Sequence, residues 1–270
     1  MNADPRTAAT LRAHLADHRS IRRYRPDPVP EDVLQRILEA GIRASSAGNM
    51  QAYSIVVTTD RGLREQLYAS HWEQAMVLEA PVLLTFCSDF HRMRRWLALS
   101  DAPDSFDDPL AFMVGAIDAA LVAQNVALAA EAEGYGICYL GTTLASCREI
   151  GRILEVPANV VPVTGLVLGL PAEEPPLRDR LPFDALVHRE TYHDPDDEAL
   201  RTIYREREQA GWERYMASPE LRRKVEEAAV QNLAQLYTTL KYTRALHQRV
   251  SRELVAYLEE QGFGPPDGGW

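Results

Sequence analysis

His18-Arg19-Ser20-Ile21-Arg22-Arg23-Tyr24 is the stretch on which the reading of this chain turns, together with Leu177-Arg178-Asp179-Arg180-Leu181-Pro182 further along. The protein is acidic, with a formal net charge of −10, so concentrated arginine stands out against its background. Arg19 and Arg22 are three apart and would share a face on a helical turn. Arg178 and Arg180 are two apart and would point the same way in an extended segment. Two such pairs that converge make a fork for one phosphate or carboxylate group. Taken singly, either cluster is equally well read as a solvated basic patch or as ion pairs with the many carboxylates.

Working outward, 270 residues with 46% hydrophobic content support one large domain, or one domain with an excursion. The negative surface repels nucleic acid and anionic membranes, so neither is an expected partner. No apolar run is read as reaching membrane-spanning length. Met1-Asn2-Ala3-Asp4-Pro5 shows no apolar core of a secretory signal. Cys87, Cys138 and Cys147 form no CxxC pair and read as buried thiols in a reducing compartment, so a cytoplasmic location is expected. His188 and His193 lie outside any zinc-binding pattern, and no metal site is expected. Gly134-Tyr135-Gly136 with Gly141 has neither the spacing nor the order of a dinucleotide fingerprint, and Gly134 reads as a helix terminator.

Helices are expected at 6–17, 31–43, 61–70, 73–79, 109–133 and 146–154. Strands are expected at 53–59, 82–87, 137–140 and 160–170, the last interrupted by Pro162 and Gly165. The run 109–133 is alanine-rich and apolar on nearly every side, which suits full burial or a subunit interface. The segment 91–108 reads as irregular. Strands alternating with helices favour an α/β or α+β sandwich. Beyond Pro195 the chain turns charged and helical, over 196–217 and 219–262. That change divides it into a core, 1–195, and a helical extension, 196–270, packing on the core or on a partner subunit.

In order, HRSIRRY, a PVP before a helix, ASSAGNMQAYSIVV, an AP ahead of an apolar strand, and LRDRLP resemble the nitroreductase family of flavin enzymes. Within it, the chain is similar to the branch of oxygen-insensitive NADPH nitroreductases and flavin reductases. The resemblance runs over residues 10–195. It implies an α+β three-layer sandwich with a central, mostly antiparallel sheet, an intertwined homodimer, FMN at each of two subunit interfaces, and NADPH or NADH as co-substrate. Residue by residue, it places His18, Arg19, Ser20 and Arg22 on the first FMN motif. There Arg19 and Ser20 meet the phosphate, and Arg22 approaches the pyrimidine edge of the ring. Ser45 and Ser46 fall on the loop that crosses to the partner subunit's flavin, and Gln74 on a glutamine that hydrogen-bonds the ring. Tyr139, Leu140 and Gly141 fall behind the ring near its N5, and Arg178 and Arg180 on the second phosphate pair.

The branch often carries lysine where Arg178 stands and a second glycine where Thr142 stands. Its basic residues for the NADPH 2′-phosphate do not align here, and Arg207, Arg214, Arg222 and Arg223 are candidates. No side chain is implied as catalytic acid or base. Flavin N5 carries the hydride, and Arg22 acts electrostatically. The implied activity is ping-pong hydride transfer from NAD(P)H to nitroaromatics, quinones or free flavin. The alternatives are a flavin-binding sensor or carrier without turnover, or a specialised reductase or dehalogenase on the same fold.

Overall fold

Local signals start most of the elements. In the structure, a computed structural model that describes residues 5–264, α1 (Pro5–Ala16) and α2 (Glu31–Gly41) precede β1 (Tyr53–Thr58). Asp60 accepts a hydrogen bond from the Leu63 amide and opens α3 (Arg61–Ser70). The short α4 (Met76–Glu79), β2 (Val82–Asp89) and α5 (His91–Leu99) follow. Asp108 caps α6 (Pro109–Ala132) through the Ala111 amide, with Pro109 at the first helical position. Gly134, at φ +82°, ends it as read from sequence. Then come β3 (Gly136–Leu140), α7 (Thr142–Ala145), α8 (Cys147–Ile153) and β4 (Val160–Gly169).

The sheet has the order β1-β2-β4-β3 and every neighbouring pair is antiparallel. β2 is buried at every position, so its alternate residues serve two cores. Val82, Leu84 and Phe86 pack with Leu34 and Ile37 of α2 and with Val122 and Val126 of α6. Leu83 joins Leu67 of α3, Val77 of α4 and Ile150 of α8. Helices thus cover both faces, which is the α+β three-layer sandwich the sequence led us to expect. β4, read as interrupted, is continuous. The register shifts between Phe86 and Cys87, opposite Thr164 and Pro162, and leaves Val163 as the extra residue of a bulge. β3 pairs only from Gly165 onward, so Pro162 sits where β4 has one neighbour and its missing amide breaks no ladder on that side.

Two further expectations are corrected. By length and composition α6 is a helix that could cross a membrane, against the reading that no run reaches that length. Half of its most apolar stretch is buried inside the protein, and Asp118 at its centre is only 1% exposed. The opposite stripe, Leu110, Met113, Ile117 and Leu121, is exposed. The segment read as irregular contains α5. Its apolar positions Met93, Trp96 and Leu97 have helical spacing but are interleaved with four basic residues, and two of the arginines have fixed partners. Arg92 donates to the Tyr53 carbonyl at 2.7 Å and to the Gln51 carbonyl at 3.1 Å. Arg94 donates to Asp104 at 2.7 Å.

The chain forms two compact units, one running to Pro176 and resuming at Val250, the other Leu177–Arg249. The compositional change falls later, at 195/196. The second unit holds α9 (Phe183–Leu186), α10 (Asp197–Ala217), α11 (Pro219–Glu227), α12 (Leu233–Leu236) and the start of α13 (Arg244–Glu260). The run 219–262, read as one helical stretch, is broken. Ala229 takes φ +51°, Asn232 caps α12 through the Gln235 amide, and a π-type turn spans Tyr237–Lys241. Val225, Val230 and Leu236 form this unit's core with Trp212 and Tyr215.

Candidate functional site

His18–Tyr24 is not a helical turn. It is an extended strap along β3, so the expectation that Arg19 and Arg22 share a helical face is corrected. The Ile21 amide donates to the Ile137 carbonyl at 2.8 Å, and Ser20 bridges Ile137 in parallel. Further on, Tyr24 bridges Pro171, and the Arg25 amide donates to the Leu170 carbonyl at 2.9 Å. Ile21 and Tyr24 are buried, and the Tyr24 hydroxyl donates to the Ile21 carbonyl at 2.6 Å. Burial pushes the Tyr24 pKa far up, so the phenol stays a donor. Glycine at 136 is what admits the strap, because a Cβ there would lie 2.6 Å from Ile21 Cγ1.

The strap brings the first arginine motif onto the sheet edge that ends at Tyr139-Leu140-Gly141. His18 Nδ1 meets Glu131 Oε1 at 2.8 Å. Arg19 pairs with Asp17, donates to the Pro175 carbonyl at 3.3 Å and lies 3.6 Å from Glu174. The Cys138 thiol donates to the Tyr139 carbonyl at 3.5 Å, and burial pushes its pKa up against the pull of Arg22 and Ser20. The Arg22 and Arg23 amides both donate to Glu173 Oε1, at 2.6 and 3.2 Å. The exposed Arg22 guanidinium makes no ion pair among the described residues. His18 and Arg19 line a cavity of about 250 Å³ with Glu131, Gly136 and Glu173. A larger cleft of about 790 Å³, around Pro26, Arg61 and Glu79, takes in Tyr24, Pro28 and Val29 of the quoted motifs but none of the residues assigned to the flavin.

At the far end of β3, Gln74 Nε2 donates to the His71 carbonyl at 3.0 Å and to Thr142 Oγ1 at 3.2 Å. His71 Nδ1 lies 3.0 Å from the same Thr142 hydroxyl. His71 is fully buried, its Nε2 has no partner, and burial lowers its pKa to about 4, so the ring is neutral. Gly141 leaves open space where a Cβ would be. Leu140 points into the core, so only its backbone is available to a ligand. The Tyr139 hydroxyl donates to Gln124 at 3.3 Å, and burial raises its pKa.

Ser45 is exposed, whereas Ser46 is spoken for. Its hydroxyl donates to Asp118 at 2.7 Å and accepts the Gln51 amide at 2.7 Å. Asp118 also accepts the Ala47 amide at 3.0 Å, pinning the 45–51 loop to α6. Arg178 and Arg180 belong to the second unit, where both are exposed. Arg180 Nη1 folds onto the carbonyls of Arg178 and Asp179, at 3.2 and 3.1 Å. Of the remaining basic candidates, Arg207 and Arg214 pair with Asp179, Arg222 donates to the Met216 carbonyl, and Arg223 pairs with Glu227. His71, Thr142 and Glu173 were not singled out as site residues. Their roles depend on partners far away in sequence. Asp118 was legible, as a lone acid inside an alanine-rich apolar run.

The fold as a whole is shared with solved oxidoreductases. An oxidoreductase from Bacteroides fragilis superposes with a TM-score of 0.85 at 37% identity, over 93% of this chain and 99% of that one. A nitroreductase from B. subtilis gives 0.81 at 26% identity, over 93% and 98%. The NADPH:FMN oxidoreductase of Vibrio harveyi, solved with NAD+, gives 0.74 at 27% identity, over 93% and 97%. Among curated proteins, an NADPH-dependent oxidoreductase of Staphylococcus aureus is 37% identical over 180 residues, 65% of this chain and 71% of its own length. The class is that of the oxidoreductases. Residues 15–170 match the model of the nitroreductase family, and the chain belongs to that family.

Proposed function

We propose that the chain is a homodimeric, cytoplasmic FMN enzyme. It takes hydride from NADPH or NADH and passes it to a nitroaromatic, a quinone or free flavin in a ping-pong cycle. The strap carries this reading, because it sets Arg19, Ser20 and Arg22 along the sheet edge that ends at Tyr139–Gly141. The donor set suits a flavin mononucleotide. Arg19 supplies a cation for the phosphate, and the competing Asp17 and Glu174 are exposed carboxylates held by weak surface pairs. Gly141 leaves its backbone open to a planar ring. The names of the relatives, one of them an NADPH:FMN oxidoreductase, point the same way.

When bound, the flavin supplies the hydride chemistry. The Arg22 guanidinium, which makes no ion pair among the described residues, would offset negative charge on the pyrimidine edge, a contact worth about 1.5–3 kcal/mol. Both hydrogens of the Gln74 amide are taken by His71 and Thr142, so its carbonyl oxygen is left to accept from a ring N–H. Ser45 and Ser46 would serve the partner subunit's flavin, Ser46 by keeping the loop in place. The family motif assigns Arg178 and Arg180 to the phosphate as well. The exposed stripe Leu110, Met113, Ile117 and Leu121 suits the subunit interface.

Purified yellow protein, mixed in turn with NADPH and NADH, tests the reading through its visible flavin band. Bleaching, followed by recovery on adding a quinone, is the expected result. A yellow protein that neither nucleotide bleaches belongs to a carrier or sensor and refutes the enzyme. Arg19→Ala and Arg180→Ala should each raise the FMN dissociation constant about tenfold or more.

A further inference from the structure

We propose that Asp179 is a positioning residue for the second arginine pair. Its carboxylate, clamped by Arg207 and Arg214 of α10, holds Arg178 and Arg180 in the extended geometry with which they grip a phosphate monoester. The inference rests on the reading of Arg178 and Arg180 as phosphate ligands.

Leu177–Pro182 lies in neither a helix nor a strand. Two long arginine side chains on such a segment would sample many directions, and a phosphate would have to order backbone and side chains together. Asp179 removes the backbone part of that cost. Its Oδ2 accepts from Arg207 Nη1 at 2.9 Å and its Oδ1 from Arg214 Nη1 at 3.3 Å, so both oxygens are bound. Arg207 and Arg214 are seven apart on α10, two turns along one face. Arg207 Nη2 also donates to the Tyr237 hydroxyl at 2.9 Å, which ties the clamp to the turn after α12. The anchor is therefore a braced helical framework rather than a loose surface pair.

Geometry then decides where the neighbouring residues point. In an extended run, alternate side chains leave on opposite sides. Exposure follows that rule here, with Arg178 and Arg180 exposed and Asp179 between them partly buried. Fixing the inward residue turns the outward pair to one side. Arg180 is further steadied by its bonds to the carbonyls of residues 178 and 179. The charges agree with this role. Four guanidinium groups crowd one short region, and the Asp179 carboxylate offsets the two that serve as scaffold. Burial would raise its pKa, but Arg207, by hydrogen bond and charge, and Arg214, by charge, outweigh that and hold it below the usual carboxylate value. The clamp therefore stays ionised at neutral pH.

The test is a pair of titrations on the full-length protein freed of flavin, one with FMN and one with riboflavin, which lacks only the phosphate. The ratio of the two affinities isolates phosphate recognition, whereas general damage weakens both ligands alike. Asp179→Ala should cut the preference for FMN about tenfold and leave riboflavin affinity within about twofold. Should that variant not fold, Asp179→Asn, which keeps the shape and drops the charge, reads the same ratio. Arg207→Ala should match Asp179→Ala, and the double variant should lose no more than either single one. An additive double variant would show Arg207 meeting the phosphate by itself and would overturn the clamp. So would an unchanged ratio in Asp179→Ala while Arg180→Ala abolishes the preference. If Arg178→Ala and Arg180→Ala both leave the ratio unchanged, the phosphate assignment itself falls, and the inference with it.

Discussion

Gly136→Ala tests whether the strap along β3 is held as described. A methyl group at 136 would sit 2.6 Å from Ile21 Cγ1, 2.8 Å from its Cβ and 3.0 Å from its Cγ2. Ordinary carbon contacts need roughly 1 Å more than the shortest of these. Rotating χ1 cannot move Cβ, so the Ile21 backbone must withdraw. That movement stretches the 2.8 Å bond from the Ile21 amide to Ile137. Overpacking costs about 1–3 kcal/mol and the lost hydrogen bond about 1 kcal/mol. A total of about 2–4 kcal/mol lowers the midpoint of thermal unfolding by about 4–8 °C for a chain of this size. Differential scanning calorimetry reads the midpoint, and hydrogen exchange reads the Ile21 amide, which should lose protection. Gly134→Ala is the control. It meets nothing within 4 Å but has φ +82°, so it should cost about 1 kcal/mol of backbone strain and leave the Ile21 amide protected. A Gly136→Ala protein that melts within about 2 °C of the parent and still protects Ile21 would refute the reasoning.

Asp118→Ala leaves the buried Ala52 amide and the Ala47 amide without their acceptor, and chemical denaturation should show a loss of about 2–4 kcal/mol. A loss below about 1 kcal/mol would mean the loop is held by something else. His71 gives a pH signature. Its folded pKa of about 4 lies below its ordinary 6.5, so its contribution is complete above pH 6.5 and is lost as pH falls toward 4. Between those limits the wild type should lose up to about 3 kcal/mol more stability than His71→Asn, read from urea unfolding curves at a series of pH values. Parallel curves for the two proteins would contradict a neutral, desolvated ring. Ile117→Asp puts a charge in the exposed apolar stripe of α6 and should shift the sedimentation coefficient from dimer to monomer with release of flavin. A dimeric variant would place the interface elsewhere.

What the sequence determined by itself is local. Asp60 opens α3, Asp108 and Pro109 open α6, and Gly134 closes it, because caps and terminators act within one turn of the residues they serve. The apolar run at 82–87 announces a strand, and the ordered motifs from HRSIRRY to LRDRLP point to the family. Tertiary structure alone decided the rest. The strap is extended because the Ile21 amide finds Ile137 on a strand far along the chain, and no spacing of arginines within 18–24 encodes that partner. The same holds for Gln74 and His71, joined through Thr142, and for Asp179, seized by two arginines of α10. α5 stayed hidden because its short apolar stripe, Met93 with Trp96 and Leu97, is crowded by basic residues whose partners lie on other segments. Hydrogen bonds that close within a turn leave a pattern in neighbouring residues. Those that join distant segments become visible only when the chain has folded and the partners meet.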